Sequence, residues 1–382
     1  PAPRPRLRDR PPVIRIRETV STPASDTYRA NRVRSLSNGE KLQGSSHTVS
    51  VDLPIDEKPW RVGLVVGPSG SGKTTLGRKI LGDDALHRGF EWSHTAPIVD
   101  EIGKGSEFND VTGALASVGL GTVPSWLRPF GVLSNGEKFR ADLARILVER
   151  PERVVVDEFT SVVDRQIAQV GAAAFAKAWR RNERGQAVLL SCHYDIVEWL
   201  QPDWLLDTRE WRFGWRSVQR PPRIDVDIFR TNWSAWRFFE AHHYLKLPRM
   251  AASFPYVATV AGEPVAFCAV TTQTGLKSSR ISRLVVMPEW QGAGVGMRFL
   301  GAVAEDWLRG RNRYGLPLRS VIATSHPGLV AALSRAKGWR VASERLLGEP
   351  EKSKKTGNAI GGKYGGHLRA TASFRYVGEA AA

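Results

Sequence analysis

The sequence has few cysteines. Only two occur among 382 residues, Cys192 and Cys268. Each lies in an apolar, strand-like stretch, so we expect both thiols to be small core groups rather than halves of a disulfide. A disulfide scaffold is therefore excluded, and a reducing compartment, the cytoplasm, is the expected location.

Long apolar runs are missing as well. No stretch approaches the roughly 18 apolar residues of a membrane span, and no secretory leader pattern is visible. Apolar residues nevertheless make up 42% of the chain, enough for two or three domains with cores of their own. We expect a protein without membrane contact.

Acidic residues are outnumbered. Fifty-five Lys and Arg against 38 Asp and Glu give a net charge of +17. A nucleic acid, DNA or RNA, is the first interpretation, because a basic surface gains affinity by releasing counterions from phosphates. A generally basic proteome or a solubility device is the alternative. Tryptophans alternate with arginines in Trp211–Arg216, where they either stack on bases or pack an edge strand.

The chain has three expected regions. Residues 1–45 form a basic, partly flexible arm, paired at an edge near Val13–Ile16; residues 46–218 and 223–382 form two domains. In the first domain strand-like runs alternate with helical stretches, which predicts an α/β fold with a largely parallel sheet. The second is also α/β and includes a helix expected from an N-cap at Ser234 to about Tyr244.

A P-loop follows an apolar strand-like run. It reads Gly67-Pro68-Ser69-Gly70-Ser71-Gly72-Lys73-Thr74. Its glycines allow the backbone to wrap phosphates, while Lys73 reaches the β- and γ-phosphates and Thr74 is a ligand of Mg²⁺. The loop predicts a nucleotide site.

Four further motifs follow the P-loop in a fixed order. They are Leu133-Ser134-Asn135-Gly136-Glu137 before a helix expected over Lys138–Arg150, Val154-Val155-Val156-Asp157-Glu158, Ser161-Val162-Val163-Asp164, and Ser191-Cys192-His193. The series resembles the ATP-binding cassette (ABC) family: Walker A, signature, Walker B, D-loop and H-loop. The resemblance covers about 150 residues.

The ABC resemblance implies roles for these residues. Asp157 would hold Mg²⁺ through water, and Glu158 and His193 would act on the attacking water and the γ-phosphate. Ser134 and Gly136 would contact ATP bound to a second copy, which implies a homodimer, with Asp164 communicating across the interface. The ATP-binding set would be Gly67, Ser69, Gly70, Gly72, Lys73, Thr74 and Thr75. Alternatively, Glu158 caps a turn and His193 is a core histidine.

Two departures from the family stand out. No glutamine lies between Thr74 and Arg165, so the Q-loop residue is missing, and Asp100 or Glu101 is the available substitute. Only about sixty residues separate the P-loop from the signature. This spacing suits DNA-repair and chromosome-clamp ATPases better than transporters. An earlier copy of the signature, Leu36–Lys41, is interpreted as a solvated turn.

A second glycine loop follows the strand-like run that ends at Val286. Its residues are Gln291, Gly292, Ala293, Gly294, Val295 and Gly296. Strand and loop resemble motif A of the GNAT acetyltransferases, which implies that backbone N–H groups of the loop bind the pyrophosphate of acetyl-CoA or another acyl-CoA. The resemblance spans about 150 residues. The same region also resembles, diffusely, the phage Mu DNA-modification protein Mom.

The sequence leaves the residues of the transfer chemistry open. Where the GNAT family often has a tyrosine that protonates the thiolate, this chain has Ser334, with Tyr364 or Tyr376 as alternatives. The candidate general bases are His243, His326 and Glu240, each also explained by a structural role. Arg283 is either beside the acyl group or a packing residue.

Together the motifs predict an ATPase joined to an acyltransferase that modifies a base in nucleic acid, DNA before RNA. The alternatives are a protein or small-molecule N-acetyltransferase regulated by the ABC domain, and a repair or defence ATPase with a non-catalytic GNAT module.

Overall fold

The computed structural model describes residues 13–22, 25–36, 45–150, 152–181, 185–216, 222–243, 250, 252–272, 275, 278–345, 351–352, 359–360 and 371–378. The chain forms two compact units. Residues 1–90, 151–161 and 182–220 belong to unit 1, and residues 91–150, 162–181 and 221–382 belong to unit 2. The domain boundaries expected from the sequence, 46–218 and 223–382, stay a prediction.

Helices and strands alternate along much of the chain. The described α-helices are α1 Tyr28–Leu36, α2 Lys73–Leu81, α3 Ile98–Glu101, α4 Phe108–Ser117, α5 Val123–Trp126, α6 Asn135–Glu149, α7 Arg165–Arg181, α8 Val197–Leu200, α9 Val295–Leu308 and α10 Pro327–Arg335. The described strands are β1 Ile14–Thr22, β2 Ser45–Leu53, β3 Val62–Val66, β4 Leu86–His87, β5 Arg153–Val156, β6 Gln186–Ser191, β7 Trp204–Asp207, β8 Arg212–Trp215, β9 Asp227–Arg230, β10 Ser253–Val260, β11 Glu263–Thr272, β12 Ser279–Val286, β13 Ser320–Thr324, β14 Trp339–Arg345, β15 Glu351–Lys352, β16 Ala359–Ile360 and β17 Thr371–Tyr376. No helix in these ranges has the length and apolarity needed to cross a membrane.

Unit 1 is built on a six-stranded sheet with the strand order β4-β5-β6-β3-β7-β8. The first five strands are parallel, and β8 pairs antiparallel with β7. All five residues of β3 are buried, as expected of a central parallel strand covered on both faces. Position 63 in this strand requires a glycine, because a Cβ on Gly63 would lie 2.0 Å from the Trp204 ring.

The tryptophan–arginine stretch proves to be the edge of this sheet. Trp211, Phe213 and Trp215 pack against the core of unit 1 from β8 and the residue before it. Edge packing, one of the two interpretations of the sequence, therefore accounts for these aromatic rings.

Part of the basic arm is ordered. β1 pairs antiparallel with β2, from Ile14 opposite Leu53 to Thr22 opposite Ser45. Ile16 is buried in the core of unit 1. The pairing expected near Val13–Ile16 is thus longer than anticipated, and α1 follows it. Arg4, Arg6, Arg8 and Arg10 lie outside the described residues, as does the repeated signature after Leu36.

Unit 2 contains a seven-stranded sheet ordered β14-β17-β13-β12-β11-β10-β9. β12 and β13 are its parallel pair, and the remaining pairings are antiparallel. Helix α9 covers one face with Phe299, Leu300, Val303 and Trp307. The Trp307 indole donates to the Tyr256 hydroxyl at 2.9 Å, which satisfies its buried N–H inside this core.

Two local expectations are wrong. The helix expected from Ser234 is a 3₁₀ turn over Trp233–Phe238, and its N-cap is Asn232, whose side chain accepts from Ser234 N at 2.8 Å; Tyr244 lies outside the described residues. Cys192 is exposed because it follows the last residue of β6, whereas Cys268 is buried within β11. Burial raises the pKa of the Cys268 thiol.

Candidate functional site

The P-loop joins β3 to α2 in unit 1. Gly70 and Gly72 adopt φ values of +77° and +87°, in the left-handed region that glycine tolerates best. Lys73 Nζ donates to the carbonyl oxygens of Gly67 at 2.8 Å and Pro68 at 2.7 Å. The loop is therefore curled around its own lysine, with the amide groups at the start of α2 available to phosphate oxygens.

A hydroxyl and a carboxylate meet beside the P-loop. Thr74 Oγ1 donates to Asp157 Oδ2 at 2.8 Å, and the other oxygen of Asp157 accepts from Glu158 N at 2.9 Å. One carboxylate with a P-loop hydroxyl suits Mg²⁺, which takes few protein ligands and the rest from phosphates and water. Among the described residues, no group of three or more His, Cys, Asp or Glu side chains is placed to hold a metal.

The catalytic candidates lie at the same edge of the sheet. Glu158 follows β5 and His193 follows β6, while the P-loop follows β3; these three strands are neighbours and parallel. The carboxyl ends of parallel strands form the usual ligand-binding edge. Glu158 is exposed at φ +50°, and the backbone N–H of His193 donates to Ser191 Oγ at 3.1 Å.

The signature lies in unit 2 and begins a helix earlier than expected. α6 starts at Asn135 rather than Lys138, because Ser134 caps it in a reciprocal capping box with Glu137. Ser125 donates to the other oxygen of Glu137 at 2.5 Å. Burial alone would raise the pKa of Glu137, but the hydrogen bonds from Ser125 and Ser134 lower it overall.

The D-loop aspartate caps the next helix. Asp164 Oδ1 accepts from Gln166 N at 2.9 Å, just before α7. Two large apolar side chains are exposed at these motifs, Val132 just before the signature and Val162 within the D-loop, with 67% and 72% of their surface accessible.

The two substitutes for the missing Q-loop glutamine differ in environment. Glu101 is buried and accepts from Ser93 N at 2.5 Å, so its carboxylate is engaged in the fold of unit 2. Asp100 is exposed. Of the two, Asp100 has the accessible carboxylate.

The second glycine loop, Gln291–Gly296, follows the 3₁₀ turn Pro288–Trp290 after β12 and leads into the start of α9. Gly292 and Gly294 have φ values of +93° and +80°. A Cβ on Gly296 would lie 2.8 Å from Val286 Cγ2, so a glycine is needed where the helix approaches the strand. The first N–H groups of α9 have no partner within the helix and point from its N-terminus, which fits a pyrophosphate.

The parallel strands next to this loop separate. β12 pairs with β13 only from Ser279 to Ile281, and the register of β12 against β11 shifts at Ser282. An open pocket of about 690 Å³ lies where the strands part, lined by Met250, Thr271, Thr272, Arg280, Ile281, Ser282, Arg283 and Ala323. Arg283, undecided from the sequence, is thus part of a pocket wall.

The acid–base candidates are mostly engaged in the fold. His326 Nδ1 accepts from Leu329 N, capping α10, and its Nε2 bonds to the Gly121 carbonyl at 2.7 Å. Burial lowers the pKa of His326, in keeping with a neutral ring that accepts at Nδ1. Tyr376 donates to Glu305 at 3.0 Å, and Ser334 to Val330 O at 2.9 Å.

Two further acid–base candidates lie among the described residues, His243 and Glu240. The ring of His243 packs against Trp236 with centroids 5.5 Å apart. Glu240 is exposed. Tyr364 lies outside the described residues.

Sequence reasoning missed the surroundings of the second glycine loop. Gln291 Nε2 donates to Val286 O at 3.0 Å, and its Oε1 accepts from Gly121 N at 2.9 Å. One feature of the sequence indicated a buried contact here: the charged Arg140 interrupts an otherwise apolar face of α6. Its partner Pro288 lies 148 residues away along the chain, so local periodicity could not identify it.

Two groups of known proteins are similar to this chain, each over a different part of it. Residues 219–325 match the acetyltransferase (GNAT) family. The zinc import ATP-binding protein ZnuC of Jannaschia sp. is 30% identical over 173 residues, 39% of this chain and 68% of its own length. The hemin import ATP-binding protein HmuV of Rhodococcus jostii is 31% identical over 178 residues, 37% of this chain and 60% of its own.

Solved structures also align with the chain. The ribosomal-protein-S18-alanine N-acetyltransferase of Escherichia coli aligns at 16% identity and a TM-score of 0.28, over 40% of this chain and 92% of its own. The chain spans only part of the import proteins named above, 60% of the length of HmuV and 68% of that of ZnuC.

Proposed function

Because the chain belongs to the ATP-binding cassette ATPases and carries a GNAT acetyltransferase domain, we propose that it hydrolyses ATP and transfers an acyl group from acyl-CoA to an amino group of a nucleic-acid base. DNA is favoured over RNA as the acceptor. ATP and acyl-CoA are the substrates and Mg²⁺ is the metal cofactor. The cytoplasmic location expected from the sequence stays a prediction.

The ATP side of the proposal rests on unit 1. The P-loop and Lys73 bind the phosphates, and Thr74 with Asp157 holds Mg²⁺, which neutralises charge on the transferred phosphoryl group. Glu158, exposed beside Asp157, orients the attacking water, and His193 contacts the γ-phosphate.

A homodimer would complete this site. Ser134 and Gly136 contact ATP on the second copy, and exposed Val132 and Val162 become buried between the copies. A Glu158→Gln chain binds ATP without hydrolysing it, so it should elute as a dimer with ATP and as a monomer without. A monomer in both conditions would contradict this part.

The transfer step uses the separated strands of unit 2. The loop around Gly292 and Gly294 would hold the pyrophosphate, and the gap between β12 and β13 would accommodate the acyl thioester. The acceptor nitrogen attacks the thioester carbonyl carbon, a C–N bond forms, and the C–S bond breaks. The acceptor loses a proton, and the CoA thiolate takes one up.

The pocket at this gap carries the acceptor assignment. Arg280 and Arg283 supply positive charge to the lining of this open pocket. The same lining has three hydroxyl groups, from Thr271, Thr272 and Ser282. Arginine and hydroxyl groups are the side chains that contact nucleic-acid phosphates and sugars. The net charge of +17 supports the same class of acceptor.

Labelled acetyl-CoA provides the direct test. Purified full-length protein is incubated with radiolabelled acetyl-CoA, Mg-ATP and, separately, duplex DNA, single-stranded DNA, tRNA and a bacterial protein extract. We expect label in DNA, lost progressively as salt is raised from about 50 to 200 mM because phosphate contacts are salt-sensitive.

Other outcomes separate the alternatives. Label in protein alone would favour the regulated protein N-acetyltransferase. Absence of transfer to any acceptor, with intact ATP hydrolysis, would favour an ATPase with a non-catalytic GNAT module. Either result would contradict the proposed acceptor.

A further inference from the structure

Within unit 2, the helical segments (residues 91–150 and 162–181) pack directly on the second glycine loop. Gly121 N donates to Gln291 Oε1 at 2.9 Å. A Cβ on Gly119 would lie 2.2 Å from the Gln291 carbonyl oxygen, so the two backbones are in contact. The loop assigned to acyl-CoA is therefore held on one side by the part of the chain that carries the ABC signature.

One side chain joins the two backbones. Arg140 on α6 is 3% exposed, and its Nη1 donates to Gly119 O at 3.1 Å and to Pro288 O at 2.5 Å. Burial lowers the pKa of Arg140 to about 10, which leaves the guanidinium charged at neutral pH. Pro288 begins the 3₁₀ turn Pro288–Trp290, which leads directly into the second glycine loop, so α6 is bonded to the segment just ahead of the loop.

The same helix begins at the signature. Ser134 caps α6, and Arg140 follows six residues later, about 9 Å along the axis at 1.5 Å per residue. An α-helix of this length transmits a displacement of its N-terminus because its backbone hydrogen bonds resist stretching. A displacement of Ser134 would therefore be carried along α6 to Arg140.

The guanidinium also has donors to spare. Its Nε and Nη2 are buried, and neither has a hydrogen-bond partner among the described residues. Buried unpaired donors are unfavourable, so they favour any small rearrangement of the loop in which they find acceptors.

We propose that Arg140 is a positioning residue for the second glycine loop and couples nucleotide bound at the signature to acyl-CoA bound at the loop. The coupling rests on the proposed function of both sites. Nucleotide orders α6, Arg140 and the loop in advance, so acyl-CoA binds with a smaller loss of conformational entropy and hence more tightly. By linkage, acyl-CoA tightens nucleotide binding by the same factor.

The test measures acetyl-CoA affinity by calorimetry on the full-length protein. Dissociation constants are determined with and without a non-hydrolysable ATP analogue and Mg²⁺. We expect the analogue to tighten acetyl-CoA binding by about fivefold or more in the wild-type protein, the lower end of usual allosteric couplings. In Arg140→Met the ratio of the two constants should fall to about one.

Arg145→Met is the matched control. Arg145 is on the same helix, but it bonds to Glu149 and lies over Trp92, away from the loop. It should keep the wild-type ratio. A merely structural role for Arg140 would weaken acetyl-CoA binding equally with and without nucleotide and leave the ratio unchanged.

Two results would overturn the coupling: equal affinities in the wild-type protein, or a ratio that Arg140→Met leaves intact. Failure of the wild-type protein to bind acetyl-CoA in either condition is a distinct result. It would overturn the proposed function itself, and the coupling with it.

Discussion

Thr74 Oγ1 lies 2.8 Å from Asp157 Oδ2, although 83 residues separate the two along the chain. The contact joins the start of α2 to the end of β5, and it brings together the hydroxyl and the carboxylate that Mg²⁺ needs beside a triphosphate. The P-loop and the aspartate thus form one site.

Replacing Thr74 with valine should abolish this site without changing its shape. Valine is isosteric but has no ligand oxygen, so we expect Mg-dependent ATP hydrolysis to fall about a hundredfold or more. Thr74→Ser keeps the hydroxyl and should retain most of the activity. Steady-state hydrolysis across a Mg²⁺ titration measures both, and near-wild-type turnover in Thr74→Val would refute the assignment.

Glu137→Gln should strengthen ATP binding. Glu137 puts a negative charge at the N-terminus of α6, where a phosphate is expected, and glutamine can form the same capping box without that charge. We expect the KM for ATP to fall about fivefold, which corresponds to about 1 kcal/mol of relieved repulsion.

Glu107→Gln provides the control for that variant. Glu107 is exposed ahead of α4, so its replacement removes one charge from the same unit at another helix. It should leave the KM unchanged. A KM for Glu137→Gln equal to or above that of the wild-type protein would contradict the prediction.

Asp142→Asn should stabilise the protein in alkaline solution. Burial raises the pKa of Asp142 from 3.8 to about 6, even though Trp92 Nε1 donates to it at 2.9 Å. The folded state therefore favours the neutral form of Asp142. The contribution of that neutral form to the free energy of unfolding is complete below pH 3.8, and it is lost as the pH rises through about 6.

Asparagine stays neutral and keeps an acceptor for Trp92. At pH 8 the free energy of unfolding of Asp142→Asn should exceed that of the wild-type protein by about 2 kcal/mol, and the difference should vanish near pH 4. Urea unfolding at the two pH values measures it. A difference that is the same at both would show that ionisation of Asp142 does not matter.

His326→Asn should leave acyl transfer within about threefold of wild type. Both ring nitrogens of His326 are engaged, and asparagine is a good N-cap for α10. Loss of a general base would instead cost about a hundredfold or more. The initial rate of transfer at saturating acetyl-CoA distinguishes the two, and a loss of that size would make His326 the base.

Local motifs predicted the α/β folds of the chain and the strand ends that carry the candidate ATP-site residues. Asp157, Glu158 and His193 follow short buried parallel strands, so their place at one sheet edge follows from sequence order alone. The ABC and GNAT families, recognised from the motifs, are confirmed by the comparisons. The individual roles of the site residues stay predictions.

Other features could not be read from the sequence because they depend on long-range packing. Asn232 rather than Ser234 caps its turn because the chain enters from β9 in an extended conformation. The contact of Arg140 with Pro288 joins segments 148 residues apart, and periodicity carries no information on such a pair.

Nucleoside mass spectrometry of DNA from cells that express the protein tests the central claim most directly. Gly294→Glu serves as the inactive form, because φ there is +80° and the added carboxylate repels a pyrophosphate; Gly301→Ala, where a Cβ meets nothing within 4 Å, is the control. We predict a new nucleoside, heavier by one acyl group, in cells with the wild-type protein and with Gly301→Ala, and none with Gly294→Glu. DNA without that nucleoside in wild-type cells, or with equal amounts in Gly294→Glu cells, would contradict the account.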